Sequence, residues 1–486
     1  MSLKDRAFSA VRWTTTAAVA RAGLQVAQVA VLARLLAPED FGLMAMVGVI
    51  LSFGAVFADL GLNSAYLQRA EVSPEQRSSL FWLNLLLSLA LMGLVMASSP
   101  LLAGFFGDAR LVPLLMLAAT TFVIGALGQQ VRVSAEKALA FRAVMQVEMV
   151  AALAGFVAAV AGALAGLGVY ALVLGGILST AVGTALAWRI LAAGWRPLRR
   201  FSLADVRPFL GFGGALVGDA IANQIHRSLD LFLGGRMLAA TQLGLYSLPR
   251  ELVLRLQFMV NPIVTRVGFP LIAQVQGDIP RVRAIYLRTL NMTASTNAPL
   301  YVGLAFFAPE LVWLLFGAQW SSSAELLRIL ALWGFLRSTV NPVGSLLLGM
   351  GRADLSLKWN LGLLILIPPV LWACAYFGPA GLAWGQFGLA VFLFIPAWRI
   401  LVYPLCGAGL AEYADAALRP FALAVLAIAP AFLAVAHLDG SLARLLIGAG
   451  IGAALYGVLS YWFNRGWVAA MLELVRPGRK GIQACA

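Results

Sequence analysis

The chain has 486 residues, of which 61% are hydrophobic and only 12% charged, and its mean hydropathy is +0.89. A soluble domain of this size must wet its surface with far more charge, so the composition is that of a polytopic membrane protein. The formal net charge of +14 is no nucleic-acid signature, because the basic residues fall mainly between apolar runs, where they fix orientation instead. Three cysteines without metal-ligand spacing and two isolated histidines argue against a disulfide framework, a metal site or histidine catalysis.

A membrane-spanning helix needs about 20 mainly apolar residues, and that measure predicts spans near 10–36, 39–67, 78–104, 111–134, 143–165 and 168–193. Lys4 and Arg6 precede a first run too long for a signal peptide, so the first span is expected to stay. A basic, proline-containing break follows, Gly194-Trp195-Arg196-Pro197-Leu198-Arg199-Arg200-Phe201, which cannot continue a lipid-exposed helix. Further spans are predicted near 207–236, 240–274, 283–308, 323–350, 354–376 and 379–404, with a last pair near 413–436 and 441–464. The expected fold is an all-α polytopic membrane protein of about 14 transmembrane helices. It divides into an N-lobe (1–193), a basic cytoplasmic linker (194–206), a C-lobe (207–404) and a terminal helix pair with a basic tail (405–486).

A repeat supports the two-lobe plan. Arg34-Leu35-Leu36-Ala37-Pro38-Glu39-Asp40-Phe41-Gly42-Leu43 returns 202 positions later as Arg236-Met237-Leu238-Ala239-Ala240-Thr241-Gln242-Leu243-Gly244-Leu245, with five identities. Each copy lies between two apolar runs, as expected of one helical hairpin used twice. Pro38 is placed to open the second helix of the first copy, with Glu39 and Asp40 in its first turn, and Thr241 is the expected cap in the second copy. Basic residues concentrate in alternate loops: Arg69 with Arg77, Lys137 with Arg142, the 196–207 cluster, Arg281 with Arg283, Arg352 with Lys358, and the tail. The other loops are nearly empty of them, with Arg110 almost alone and none in the long loop Pro309 to Ser322, so both termini are expected in the cytoplasm. Prolines inside spans gather in the C-lobe, at Pro262, Pro270, Pro299, Pro342, Pro368, Pro369 and Pro396, where they predict kinks. Trp313, Trp320 and Trp462 fall near span ends, where aromatic belts are usual.

Ionisable side chains in mid-membrane cost about 2.5–3.5 kcal/mol each on insertion scales and normally face a cavity or a partner. Thr14, Arg21, Gln25 and Gln28 make one polar stripe on the first span, and Asp219, Asn223, Arg227 and Asp230 repeat it on the seventh. The same offset aligns Asp59 of span two with Asn261 of span eight. Arg21, Arg227, Arg250, Arg255 and Arg337 are candidate ligands for phosphate oxygens, and the alternative is interhelical ion pairing. Thr14, Gln25, Gln28, Asn223 and Asn261 are candidate cavity lining. Asp59, Asp219, Asp230 and Glu251 are candidates for a coupling proton or sodium, against structural pairing such as Glu251 with Arg255 one turn on. No phosphate loop, zinc motif or large extramembrane domain is present, so no cofactor is expected beyond a coupling ion.

Several stretches resemble the polysaccharide transporter branch of the multidrug/oligosaccharidyl-lipid/polysaccharide (MOP) flippase superfamily. They include the segment from Leu36 to Leu43, Asp59-Leu60-Gly61-Leu62 with Gln68, Phe81-Trp82-Leu83-Asn84, Asp230 to Gly234, Leu243 to Tyr246, Phe269-Pro270, Leu315-Phe316-Gly317 to Trp320, and Gly349 to Arg352. The likeness covers nearly the whole chain up to about residue 404 and is nearest to the Wzx and WzxC type of repeat-unit flippase. It implies two lobes, bacterial inner-membrane placement and alternating access. It also implies that polyprenyl-diphosphate-linked oligosaccharide is turned from the cytoplasmic to the periplasmic leaflet by antiport with protons or sodium. Candidate protein partners are a polysaccharide polymerase and a chain-length regulator. The segment after span four, Glu136 to Phe141, departs from the family pattern and inherits no role. The competing readings are a lipid-linked peptidoglycan precursor flippase, a drug-cation antiporter and, from a different class, a membrane-embedded polymerase or ligase. An arginine-rich cavity argues against the antiporter, and the lack of a long loop with catalytic side chains argues against the enzyme.

Overall fold

The computed structural model describes residues 23–69 and 71–475. Helices α1 (Gly23–Leu35), α2 (Pro38–Asp59), α3 (Leu62–Gln68), α4 (Pro74–Phe106), α5 (Leu111–Lys137), α6 (Phe141–Leu164) and α7 (Val169–Leu186) come first, and α7 continues through a π turn at Ala187–Leu191. Beyond the linker run α8 (Leu203–Met237), α9 (Ala240–Gln274), α10 (Ile279–Phe306), α11 (Ala308–Leu315), α12 (Ser323–Thr339), α13 (Pro342–Gly349) and α14 (Ala353–Ala375). The chain continues with α15 (Gly378–Ala397), α16 (Tyr403–Cys406), α17 (Leu410–Val435), α18 (Ser441–Phe463) and α19 (Arg465–Val475). No strand occurs among the described residues.

Every predicted span from the second onward has a helix at its place, and α1 covers the described part of the first. Nine of the described helices are long and apolar enough to cross a bilayer, and α10 with α11 makes a tenth if that bent pair is one span. The predicted spans outside this set are α1, which is short as described, α8 and α9, which carry several charges each, and α12 with α13, which are broken apart at Val340-Asn341, just before Pro342. Several expectations need correction. Span two is not continuous: Leu60 and Gly61 take left-handed backbone angles (φ 44° and 69°), which end α2 and start α3. The stretch from Pro309 to Ser322 is not an open loop, because Phe307 breaks the helix, α11 leaves at 79° to α10, and Trp320 closes the segment wholly buried. Trp320 is therefore a core residue and not part of an aromatic belt, whereas Trp313 and Trp462 are exposed.

Two compact units contain these elements, one of Met1–Ser247 with Asn360–Pro379 and one of Leu248–Trp359 with Ala380–Ala486. In the first, α4 lies along α5, α6 along α7, and α2 against α8. Its apolar contacts include Leu62, Tyr66 and Phe209 in one cluster and Val131, Val144 and Ala187 in another. The linker is anchored to this unit by aromatic packing: Arg77 sits 3.9 Å over the Trp195 ring, Trp188 stacks on Trp195, and Trp82 Nε1 donates to the Leu198 carbonyl at 2.8 Å. In the second unit α10 is central, packed on α12 and α17, over a core that includes Tyr286, Leu290, Leu346 and Tyr413.

The repeated segment makes two hairpins, α1–α2 and α8–α9, and their second helices cross at the repeated glycines. A Cβ on Gly42 would lie 1.8 Å from the Ala240 carbonyl oxygen, and a Cβ on Gly244 would lie 1.7 Å from that of Pro38. Pro38 and Ala240 are themselves equivalent positions of the repeat, so the contact is reciprocal, as a local two-fold axis requires. Pro38 opens α2 as expected, and the Asp40 carboxylate accepts the Ala37 N–H at 3.0 Å. Thr241 is not the cap of α9: the helix begins one residue earlier, and the Ala239 carbonyl takes the first bond, from the Leu243 N–H.

The loop charges of the first unit sort by end. Lys137 Nζ donates to the carbonyls of Tyr66 and Arg69, and Arg69 donates to that of Pro208, so these basic loops meet at one end beside the linker. At the other end Arg110 holds Asp108 at 2.7 Å and Glu39 at 2.6 Å. Hydrogen bonds from Arg110 pull the Asp108 carboxyl below its ordinary value of 3.8.

Gly42→Ala and Gly244→Ala should each destabilise the protein by about 3 kcal/mol, the upper part of the usual overpacking range, because the obstacle is backbone. Gly48→Ala, in the same helix with open space around its Cβ, should be neutral or stabilising. Thermal unfolding in detergent measures both, and equal melting temperatures for all three variants would contradict the crossing. Because its folded pKa is depressed, Asp108 stabilises the fold above pH 3.8, and the contribution is lost as pH falls through the lower folded value. Asp108→Asn should therefore cost about 0.2–1 kcal/mol at neutral pH. Its unfolding midpoint should converge with that of the unsubstituted chain in acid, and a constant gap across the pH series would refute the linkage.

Candidate functional site

Thr14 and Arg21 lie outside the described residues, as does the side chain of Asp219. In the first unit Gln25 and Gln28 are half-buried on α1, and Asn223 and Arg227 are exposed on α8. Asp230, two turns beyond Asn223, is fully buried and accepts the Tyr246 hydroxyl at 2.7 Å. Gln224 on the neighbouring face of α8 donates to Ser52 of α2 at 2.7 Å and to Ser228 at 2.6 Å. Asp59 terminates α2 and accepts the Asn63 N–H of α3 at 3.2 Å and the Gln129 amide of α5 at 3.4 Å. Both acids thus sit within hydrogen bonds that join helices.

The second unit holds a denser polar region. On α9, Arg250, Val253, Gln257 and Asn261 recur three or four residues apart and are all buried, so they form one inward face. Asn261 Nδ2 donates to the Ser338 carbonyl of α12 at 3.1 Å, and its Oδ1 accepts from Asn297 of α10 at 3.0 Å. The Tyr301 hydroxyl of α10 donates to the Val253 carbonyl at 3.1 Å and lies 2.9 Å from Ser338 Oγ. Arg337 reaches Gln257 Oε1 with its Nε at 3.3 Å, and its guanidinium lies 5.3 Å from the Trp333 ring centre.

Glu251 and Arg255 point away from this face, as positions one and five residues past Arg250 must on a helix with 3.6 residues per turn. Arg255 Nε pairs with Glu251 at 3.0 Å, the ion pair anticipated from their spacing. The Arg255 Nη1 is buried and has no hydrogen-bond partner among the described residues. Exposed Phe258 and Met259 follow on α9.

The predicted residues of this unit therefore fall into two groups, Arg337, Arg250 and Asn261 on the inward side and Glu251 with Arg255 on the other. Sequence reasoning missed Gln257, Asn297, Tyr301 and Ser338. Gln257 lies four residues before Asn261 and seven after Arg250, and Asn297 and Tyr301 are one turn apart, so the same helical phase would have found them. Among the described residues no group of three or more His, Cys, Asp or Glu side chains is placed to hold a metal ion.

Residues 31–325 match the model of a family described as "Polysaccharide biosynthesis protein". The chain is 31% identical over 444 residues to the lipopolysaccharide biosynthesis protein WzxC of Escherichia coli (strain K12), covering 91% of this chain and 90% of that one. It is 29% identical to the teichuronic acid biosynthesis protein TuaB of Bacillus subtilis (strain 168), over 86% of this chain and 87% of that one. It is 26% identical to the succinoglycan biosynthesis transport protein ExoT of Rhizobium meliloti (strain 1021), over 96% and 95%. Among solved structures, the lipid II flippase MurJ in an inward closed conformation superposes with a TM-score of 0.76 at 13% identity, covering 96% of this chain and 100% of that one. An inward-facing multidrug resistance MATE family transporter of the MOP superfamily gives 0.61 at 16%, over 78% and 94%. At such identities these likenesses speak for the fold alone. The chain belongs to the polysaccharide biosynthesis protein family, as a multi-pass, all-helical membrane protein whose fold is like that of MurJ and the MATE transporter.

Proposed function

We propose that this protein is a flippase that turns polyprenyl-diphosphate-linked oligosaccharide repeat units from the cytoplasmic to the periplasmic leaflet of the bacterial inner membrane by alternating access. The observation that carries the reading is Arg255, whose buried Nη1 keeps a free donor while its Nε is engaged by Glu251. A buried unsatisfied guanidinium donor is costly, and its fork matches phosphate oxygens in shape and charge. A diphosphate would satisfy it. Arg250 and Arg337, on the inward side of α9 and not on that of Arg255, and Arg21 and Arg227, which belong to the first unit, remain phosphate-ligand candidates of lower rank. The names of the relatives, in lipopolysaccharide, teichuronic acid and succinoglycan biosynthesis, support a glycan on the lipid.

Antiport with protons or sodium belongs to the same reading. Among the acids, Glu251 is the favoured coupling group, because its partner is the arginine that the diphosphate would engage, so binding at one would loosen the other. Asp59, Asp219 and Asp230 remain candidates of lower rank. The basic loops that meet beside the linker support cytoplasmic termini under the positive-inside rule. A polysaccharide polymerase and a chain-length regulator are the partners that this role would need.

The test is flipping of a fluorescent polyprenyl-diphosphate oligosaccharide in proteoliposomes. Arg255→Ala should slow it by about tenfold or more, the loss of one charge-assisted contact, with the melting temperature unchanged. Arg255→Lys should retain an intermediate rate. Asn261→Ala should behave differently, destabilising the fold by about 1–3 kcal/mol because Asn297 and the Ser338 carbonyl lose their partner in the interior. A rate for Arg255→Ala equal to that of the unsubstituted chain would sink the phosphate role, and failure of the native chain to flip would sink the flippase reading.

A further inference from the structure

The second copy of the repeat also borders a cavity. At the end of α8 remote from the linker, about 50 Å along a helix of this length, a space of about 470 Å³ opens between the α8–α9 turn and the end of α14. Arg236, Leu238, Gln242, Trp372 and Tyr376 are among its lining, and all of the lining belongs to the first compact unit. The volume falls within the range of about 300–1,000 Å³ typical of small-molecule sites.

The chemistry of the wall is specific. Arg236 is the one charged residue of the lining, and it is exposed. Its guanidinium lies 5.6 Å from the Phe105 ring centre, and it makes no ion pair among the described residues. In the first copy of the repeat and the loop before α5, the acids are engaged elsewhere: Arg110 holds Glu39 and Asp108, and Asp40 accepts the Ala37 N–H. Trp372 and Tyr376 stand edge to face with ring centres 6.5 Å apart, both with substantial exposed surface. Gln242 adds an amide that can donate and accept. A cation without a counter-charge, beside two amphipathic rings and an amide, is complementary to an anion attached to a hydroxylated body. The lone Arg236 charge disfavours a cationic ligand in the same space.

We propose that this cavity binds an oxyanion borne on a polyol, either a sugar carboxylate or the phosphate of a lipid headgroup. Arg236 is the anion ligand, Trp372 and Tyr376 are the wall against which the ring or glycerol lies, and Gln242 bonds a hydroxyl. The site does not depend on the flippase reading, since no step of that reading uses Arg236.

Two arms distinguish the sources. In the first, calorimetry follows trigalacturonate binding to the full chain in phosphatidylcholine nanodiscs, with uncharged maltotriose as control. Binding of the uronate alone, weakened about tenfold by Arg236→Gln and largely kept by Arg236→Lys, would establish the sugar carboxylate as ligand. Trp372→Leu should weaken it as well, through the ring contact. In the second arm, native mass spectrometry follows phosphatidylglycerol added to the detergent-solubilised chain. Retention of that lipid by the native chain and its loss from Arg236→Gln, without uronate binding, would establish the headgroup phosphate. If neither anion is held more tightly by the native chain than by Arg236→Gln, the proposal is overturned, and the flippase reading stands or falls on its own test.

Discussion

The close crossing of α2 and α9 at Gly42 and Gly244 is the contact on which the two hairpins depend. Each helix passes so near the other that a single added carbon would fall inside a carbonyl oxygen of its partner. Such proximity is how helices associate in lipid, where no hydrophobic drive distinguishes a neighbouring helix from an acyl chain and small residues allow backbone to meet backbone. The contact is reciprocal because the same segment supplies both sides, Pro38 and Gly42 in one copy and Ala240 and Gly244 in the other. The repeat is thus a docking surface that recognises its own second copy. Another identity of the repeat is the arginine at Arg34 and Arg236, and the second of these lines a cavity.

In each unit a break in a long helix is held by neighbouring protein groups. The left-handed pair Leu60-Gly61 sits beside Asp59, whose carboxylate takes up the Asn63 N–H of the next helix. The bend between α10 and α11 is closed by buried Phe307 and Phe316 with Trp320. Broken helices are tolerated at membrane depth when neighbouring groups satisfy the freed backbone, and these breaks meet that condition. The polar side chains of α9 and α10 follow the same logic. Asn261, Asn297, Tyr301 and Ser338 bond to one another and to main-chain carbonyls, which ties α9, α10 and α12 together without presenting charge to lipid.

This arrangement separates two uses of polar residues that look alike in a sequence. Asn261 and Asp230 are buried and engaged within the fold, whereas Arg255 keeps an unsatisfied donor next to an exposed glutamate. The first kind fixes helix against helix. The second kind is what the proposed phosphate contact draws on. The chain shares its fold with both MurJ and a MATE transporter, and a shared fold does not by itself fix what is carried.

By itself, the sequence determined the membrane class, the place of each long span from the second onward, the repeat and the family resemblance. Each of these rests on local or periodic information: apolar run length, a 202-residue offset, and motifs in fixed order. It also paired Glu251 with Arg255 correctly, since both lie on one helix at a spacing that brings side chains together. Tertiary structure decided the rest. Leu60-Gly61 and Phe307 break helices whose composition reads as continuous, because a few left-handed or bent residues hardly alter hydropathy over a span. Thr241 has the chemistry of a cap, yet α9 starts one residue earlier, where Ala239 takes the first hydrogen bond as the helix enters the glycine crossing. Which polar residues are satisfied depended on partners far away in the chain, such as Ser338 for Asn261, 77 positions apart. Helical phase states which face a residue occupies, but only packing determines what that face meets.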